Sequence, residues 1–185
     1  MEKWFFIDME TLGLSPTSKV ISIGLLCTDD TMKQYSEDML YQKGIYIKLD
    51  VNEQKNRTVD AHTLNYWKEE LSDKKINDFL KSGKTWNLDK AYSFIEKYVQ
   101  INNIDYETDV IWSRGLFDKF LWQSLFPKSE LFPHYIWRDT QTALDVLIGN
   151  INGNISSKYI KKKHDALYNC VFEYKRLKKT LEIYE

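Results

Sequence analysis

The order of apolar and polar residues predicts three β-strands within the first fifty positions. Aromatic and β-branched residues, which favour strands, dominate KWFFID and KVISIGLLCTDD. The segment between them, ETLGLSPTS, contains the Gly and Pro of a turn, and GIYIKLD alternates apolar and polar residues. We therefore predict an antiparallel meander with strands at residues 3–8, 19–30 and 44–50.

Farther along the chain, apolar residues recur every three or four positions, which predicts α-helices. Leu64, Trp67 and Leu71 form the first of these stripes. The predicted helices are 59–71, 87–100, 116–126, 140–148 and a long closing helix from residue 165 onward. Between them, the nearly all-apolar TDVIWS (108–113) predicts a central strand buried on both faces. The expected fold class is α/β, a mixed sheet with helices on its faces.

The composition predicts one soluble domain over residues 1–185, because no Pro-, Gly- or Ser-rich stretch divides the chain. A net charge of -1 excludes a global basic field, so a polyanion would need a local basic patch. Cys27 and Cys170 lie among apolar residues, which favours reduced core thiols and a cytoplasmic location. The apolar run WFFI is too short for a signal-peptide core or a membrane span, so no membrane partner is expected.

Two acids stand out at the end of the first strand. Asp8 and Glu10 are two positions apart in WFFIDMETLG, so their side chains share one face of the strand. Burying two unpaired carboxylates side by side costs several kcal/mol, so the fold must supply Lys, Arg or a metal ion.

Further polar residues complete a set that suits metal-assisted phosphoryl chemistry. Asp118 follows the predicted central strand, His164 precedes the last helix, and Asn169 comes five residues after His164. Carboxylates can hold two divalent ions roughly 3.5–4 Å apart while a base takes a proton from the attacking water.

Three segments, FIDMETLG, LFDKFL and HDALYN, resemble the motifs of the DEDDh 3′–5′ exonucleases, which share an RNase H-like fold. The segments HTLNYWKEE and WRDTQTALDVL are similar to those of the branch containing the T-even phage exonuclease A and RNase AS. The resemblance spans about residues 4 to 176. It implies a nuclease that hydrolyses single-stranded RNA or DNA from its 3′ end with two Mg²⁺ or Mn²⁺ ions, and homodimer formation is a further expectation.

The resemblance also implies a role for each motif residue. Asp8 would bridge both ions, Glu10 would bind the ion that activates water, Asp118 would support the second ion, and His164 would be the general base. The residues expected to contact substrate are Met9, Thr11, Leu12, His62, Trp67, Arg114 and Lys162. For Trp67, packing of its helix on the sheet is an equal explanation, and the basic run around Lys162 is equally a solvated loop. Asp139 is expected to be a helix N-cap or a partner of Arg138.

One position departs from the motif: Asn169 stands where these exonucleases have their last Asp. It is either natural or introduced to trap a substrate. Asp165 or Glu173, one helical turn away, would replace the missing ligand only with a large displacement. We expect impaired catalysis, and the alternative function is an inactive protein that binds nucleic-acid 3′ ends.

Overall fold

The computed structural model describes residues 2–71, 79–80, 83–148 and 164–181. These residues form a five-stranded mixed sheet in the order β3-β2-β1-β4-β5. The strands are β1 (Trp4–Thr11), β2 (Val20–Thr28), β3 (Ile45–Lys48), β4 (Val110–Ser113) and β5 (Trp137–Asp139). The first three strands pair antiparallel, whereas β4 joins β1, and β5 joins β4, in parallel. The predicted α/β class and the antiparallel meander are confirmed.

Helices cover both faces of this sheet. Those in the described residues are α1 (Glu37–Lys43), α2 (Ala61–Leu71), α3 (Leu88–Ile101), α4 (Phe117–Leu125), α5 (Thr140–Ile148) and α6 (Ala166–Leu181). The sequence predicted all of these except α1, and it also missed β5. Both elements are short, so neither repeats its apolar period often enough to be recognised. Within the described residues, no helix has the length and apolar composition of a membrane span.

Alternation along β1 divides the core into two layers. Phe5, Ile7 and Met9 point into the layer that contains the buried face of α3. Phe6 points into the other layer, against Tyr174 of α6. Because residues two apart share a face, Asp8 and Glu10 continue the side of Phe6 and face α6.

A glycine lets α6 approach the sheet at this point. Gly24 of β2 pairs with Asp8, and a methyl group placed on Gly24 would lie 2.3 Å from backbone atoms of Ala166 and Leu167. No side chain fits in that gap, so the first turn of α6 lies directly on the strand. The close contact brings the start of α6 next to Asp8.

Helix α1 holds the same end of α6 from the other side. Tyr41 Oη donates to Asp165 Oδ2 at 2.7 Å, and Tyr168 Oη donates to Glu37 Oε2 at 2.7 Å. Asp165 also accepts from the backbone N of Tyr168 at 3.0 Å, as an N-cap does. The first turn of α6 is thus attached to both the sheet and α1.

Candidate active site

The site begins where β1 extends beyond its parallel partner. Strand β4 pairs with β1 only at Trp4, Phe5 and Phe6, so the later residues of β1 have no partner strand on that side. The backbone N of Met9 instead donates to Asp118 Oδ1 at 3.0 Å. Asp118 lies in the first turn of α4 and is buried. Its carboxyl group therefore reaches the segment that carries Asp8 and Glu10.

Asn169 approaches from the opposite direction, on α6. Its Nδ2 donates to Asp8 Oδ2 at 3.1 Å and to Glu10 Oε1 at 3.2 Å. A single amide group therefore bridges the two acids of β1. Four of the predicted site residues, which come from three separate stretches of the sequence, meet at this end of the sheet.

Burial and mutual repulsion make these carboxyl groups hard to ionise. Burial, together with the charges of Asp118 and Glu10, raises the pKa of Asp8 well above its ordinary value. Burial likewise raises the pKa of Glu10 to about 7 and the pKa of Asp118 to about 7. The hydrogen bonds from Asn169 lower the pKa values of Asp8 and Glu10, against the larger effect of burial.

The donor atoms of the site suit a hard divalent cation. No Lys or Arg of the described residues forms an ion pair with Asp8, Glu10 or Asp118. Asn169 Oδ1 is buried and lacks a hydrogen-bond partner. Mg²⁺ and Mn²⁺ prefer carboxylate and amide oxygens, so the chemistry of this set fits such an ion. However, no group of three or more His, Cys, Asp and Glu side chains in the described ranges is already arranged to hold a metal.

Both acids considered as replacements for the missing Asp already have hydrogen-bond partners of their own. Asp165 caps α6 and accepts a hydrogen bond from Tyr41. Glu173 is buried and accepts from Thr140 Oγ1 at 2.8 Å, while Arg176 Nη1 lies 3.4 Å from its other oxygen. Both side chains are held by these partners, and the described hydrogen bonds do not join either of them to Asp8 or Glu10.

His164 lies beside α2. Its ring centroid is 4.5 Å from that of Trp67, and its Nε2 is 3.6 Å from Glu70 Oε2. The backbone has a φ of 66°, in the left-handed region, where His is enriched among non-glycine residues. Nε2 is buried without a hydrogen-bond partner. The predicted base is therefore packed against α2 and is not hydrogen-bonded to the acids.

Several predicted substrate contacts are part of the core beneath the site. Trp67 is 2% exposed, and its Nε1 donates to the carbonyl O of Thr11 at 2.8 Å. Leu12 packs in the same cluster, and Met9 is buried in the layer below. Thr11 Oγ1 donates to the carbonyl O of Gly13 at 2.7 Å. The packing explanation for Trp67 is thus the one that the structure favours, since the ring supports β1 and His164.

Other predicted contacts are on the surface. The Arg114 side chain is 39% exposed, with Nη1 3.9 Å from Glu173 Oε1. His62 is exposed in the first turn of α2. Lys162 and the basic run around it lie outside the described residues. Asp139 caps α5 through the backbone N of Gln141 at 2.9 Å, so its predicted N-cap role is confirmed.

Sequence reasoning missed two structural supports of the site. One is Gly24, although a lone glycine inside an apolar strand does signal a close approach of another backbone. The other is the bond from the backbone N of Gly115 to Asp139 Oδ1 at 2.7 Å, which holds the loop before Asp118. No local sequence pattern predicts this contact, because Gly115 and Asp139 are far apart in the chain.

Taken together, the mixed sheet and the acids at the end of β1 define the RNase H-like fold class of exonucleases. Residues 3–180 match the 3′–5′ exoribonuclease Rv2179c-like domain. The chain belongs to this family, and the predicted exonuclease class and DEDD-type superfamily are confirmed at that level. A comparison with curated proteins found no significant match.

Solved structures show the same fold. Cell-death related nuclease 4 (CRN-4) superposes with a TM-score of 0.62 at 11% identity, covering 100% of this chain and 64% of that one. The Escherichia coli exonuclease I complex with single-stranded DNA superposes with a TM-score of 0.60 at 12% identity, covering 100% of this chain and 41% of the other. The chain thus spans less than two thirds of either nuclease, and these likenesses concern the fold alone.

Proposed function

We propose that this protein is a metal-dependent 3′–5′ exonuclease that removes nucleotides from the 3′ end of single-stranded nucleic acid. The observation that carries the proposal is the convergence of Asp8, Glu10, Asp118 and Asn169 in a member of an exoribonuclease family. The family description favours RNA as the first substrate to test. Escherichia coli exonuclease I, of the same fold, is described in complex with single-stranded DNA.

Two Mg²⁺ or Mn²⁺ ions are the proposed cofactors. Asp8 would bind both, Glu10 and Asn169 Oδ1 would bind the first, and Asp118 would bind the second. Such ions polarise the scissile phosphate and lower the pKa of bound water. For Asn169 to offer Oδ1, its amide must rotate, because in the present arrangement Nδ2 points at Asp8 and Glu10.

Side chains are proposed to accept the proton of the attacking water and to hold the substrate. His164 would accept the proton of the attacking water at Nε2, and for this its ring would have to turn away from Glu70, which now lies 3.6 Å from that nitrogen. Arg114, partly exposed, would hold a phosphate of the substrate through its guanidinium group. Lys162 is proposed as a further phosphate contact, and His62 as a contact of the nucleotide.

Asn169 is proposed to impair the reaction. An amide has the shape of a carboxylate but no charge, so it offers a divalent ion a weaker ligand than Asp does.

The proposed family branch is the one that contains the T-even phage exonuclease A and RNase AS. The single-domain organisation and the homodimer remain predictions. Membership of an exoribonuclease family favours an enzyme over the inactive end-binding protein.

The test uses 5′-labelled single-stranded RNA and DNA oligonucleotides with Mg²⁺ or Mn²⁺. We expect a ladder that shortens from the 3′ end, faster for Asn169→Asp than for the unchanged chain, and no ladder for Asp8→Ala. Oligonucleotides with a blocked 3′ end distinguish an exonuclease from an endonuclease. Cleavage of blocked substrates, or undiminished activity of Asp8→Ala, would exclude the proposed mechanism.

A further inference from the structure

A second surface with features suited to nucleic acid lies on α3, on the face of the sheet opposite to the acids. We call it the α3 surface: an open groove lined by Trp86, Asp89, Lys90, Ser93, Phe94 and Lys97. The rings of Trp86 and Phe94 stack with centroids 5.3 Å apart and an interplanar angle of 27°. Lys84 Nζ lies 4.5 Å from the centroid of the Trp86 ring.

Phe94 is not needed by the core. The buried residues of α3 are Ala91, Ile95 and Val99, whereas Phe94 is 38% exposed and borders the groove. Trp86 stacks on one side of the Phe94 ring and thus holds that ring in place. An aromatic ring held in this way can stack on a nucleic-acid base whatever the base is.

Positive charge flanks this ring. Lys90 lies four residues before Phe94 and Lys97 three residues after it, so both are on the same side of the helix. Two lysines, Lys90 and Lys97, and one acid, Asp89, line the groove, and Lys84 lies over the Trp86 ring. Aromatic rings between lysines are the combination that binds the bases and phosphates of a single strand.

The sheet positions the α3 surface at the same end of the molecule as the acids. Glu10 pairs with Ser22, and Ser22 pairs with Lys48. Trp86 lies beside the next residue, Leu49, with which it forms a parallel bridge, and its backbone N donates to the carbonyl O of Lys48 at 2.9 Å. Three strand spacings, about 15 Å, separate the backbone of Trp86 from β1, and the α3 surface is farther than this from the acids because α3 lies on the other face of the sheet. That distance is too long for the terminal nucleotide but suits nucleotides farther from the 3′ end.

We propose that the α3 surface binds the part of a single-stranded substrate that lies upstream of its 3′ end. This inference rests on the proposed exonuclease function and extends it to a second contact. Helix α3 covers the sheet face opposite to Asp8 and Glu10, so the bound strand crosses the end of the sheet between the two contacts. The bases stack on Phe94, and the phosphates lie against Lys90 and Lys97.

Binding to oligonucleotides of two lengths tests the proposal. Fluorescence anisotropy in EDTA measures affinity for single strands of about 4 and about 20 nucleotides without hydrolysis. Phe94→Ala is expected to raise the Kd for the long strand about tenfold and to leave the short strand within about twofold. Tyr135→Ala, which removes another exposed aromatic beside β5 at the opposite edge of the sheet, is the control and should change neither.

The lysines are tested by salt dependence. Lys90→Gln and Lys97→Gln should each reduce the slope of log Kd against log salt by about 0.7 for the long strand. Lys128→Gln, which removes an exposed lysine outside the groove, should leave the slope unchanged. If Phe94→Ala does not fold, the affinity for the long strand of the double variant Lys90→Gln/Lys97→Gln tests the proposal instead.

Two results would overturn the proposal. One is an unchanged affinity for the long strand in both the Phe94 and the lysine variants. The other is equal weakening for short and long strands, because the α3 surface would then not be specific for the upstream part of a long strand. A long-strand defect without nucleotide release by any variant would support the α3 surface while refuting the exonuclease.

Discussion

Asn169 donates to both acids of β1, and a neutral amide therefore stands between two groups that repel each other. A hydrogen-bond donor offsets part of this repulsion, but it supplies no charge. Burial still raises the pKa of Glu10 to about 7, although the hydrogen bond from Asn169 acts in the opposite direction. Whether Asn169 can serve as a metal ligand thus depends on whether its Oδ1 or its Nδ2 faces Asp8 and Glu10.

Replacing this amide by a carboxylate is the first prediction. Asn169→Asp should raise the rate of nucleotide release at least about 100-fold in Mn²⁺, because the ion gains an anionic ligand. Affinity for the 3′ end should change little. Without metal the variant should lose about 2 kcal/mol of unfolding free energy, since another negative charge joins the cluster. Oligonucleotide degradation and urea unfolding in EDTA measure these effects.

The exposed Asn56 provides the matched control for this substitution. Asn56→Asp adds the same charge away from the acids and should alter neither rate nor stability. If the unchanged chain already degrades RNA as fast as Asn169→Asp, the proposed impairment is wrong.

The pH dependence of stability is the second prediction. In the metal-free protein, burial raises the pKa of Glu10 from 4.5 to about 7, so between these values the folded state holds a proton that the unfolded state has lost. Stability is therefore highest below about pH 4.5 for this group and falls as the pH rises toward 7. Thermal unfolding in EDTA should show a smaller decrease for Glu10→Gln than for the unchanged chain.

Other carboxyl groups also titrate in this range, so the comparison between variants is what counts. Glu107→Gln, at an exposed position, is the control and should retain the full decrease. Identical pH profiles for Glu10→Gln and the unchanged chain would contradict the burial of the Glu10 charge.

Among the elements, α6 carries Asn169 and lies directly on the sheet. Its first turn rests on Gly24 of β2 and is attached to α1 through Tyr41 and Tyr168. Asn169 lies one turn farther along, so its distance from Asp8 depends on how closely the helix approaches the strand. The geometry of the site is therefore set by backbone packing as well as by its side chains.

A methyl group on Gly24 tests this dependence and is the third prediction. Gly24→Ala should destabilise the protein by about 1–3 kcal/mol, because the added carbon would lie 2.3 Å from the backbone of Ala166 and Leu167. In the Asn169→Asp background it should also lower activity more than about tenfold, since α6 moves away from Asp8. Urea unfolding and nuclease assays at a temperature where the variant stays folded measure both losses.

Val99→Ala separates stability from site geometry. Val99 is buried in the layer of α3, on the face of the sheet opposite to α6. This variant should lose stability but retain activity. Should Gly24→Ala prove fully active, the close contact would matter for folding alone.

For the whole molecule, charge at one end of the sheet links folding to metal binding. The net charge is only -1, but three acids with raised pKa values gather within one site. A ligand that binds only the folded state stabilises it in proportion to the logarithm of its concentration. A cation at the acids also removes the repulsion between them.

Stabilisation by divalent ions is the fourth prediction. At neutral pH, Mn²⁺ should raise the melting temperature of the unchanged chain by a few degrees and that of Asn169→Asp by more. Asp8→Ala should abolish the shift, because it removes the ligand proposed for both ions. Monovalent salt of equal ionic strength controls for screening. An equal shift in Asp8→Ala would place the ion elsewhere.

The sequence predicted the fold except for α1 and β5. It also predicted burial of the strand at 108–113 on both faces, whereas Val110 and Trp112 of β4 are only partly buried. Asp8 and Glu10 could be assigned to one face because strand periodicity is a local property. Asp118 and Asn169 were singled out by their places after a predicted strand and in the last helix, and the motif resemblance connected them with Asp8, since no periodic pattern connects positions more than a hundred residues apart. For Trp67 the sequence allowed both packing and nucleotide contact, and burial decides for packing.

The sequence by itself determined the α/β class, the meander, most helices and the set of acidic residues, because apolar periods and residue types act over a few neighbouring positions. Only the tertiary structure decided that Asn169 Nδ2 donates to both Asp8 and Glu10. It likewise decided that α6 packs directly on Gly24 and that His164 packs against Trp67. These contacts depend on how closely distant segments pack, to within a fraction of an ångström. Such distances follow from the three-dimensional arrangement of the whole core, and no local pattern of residues encodes them.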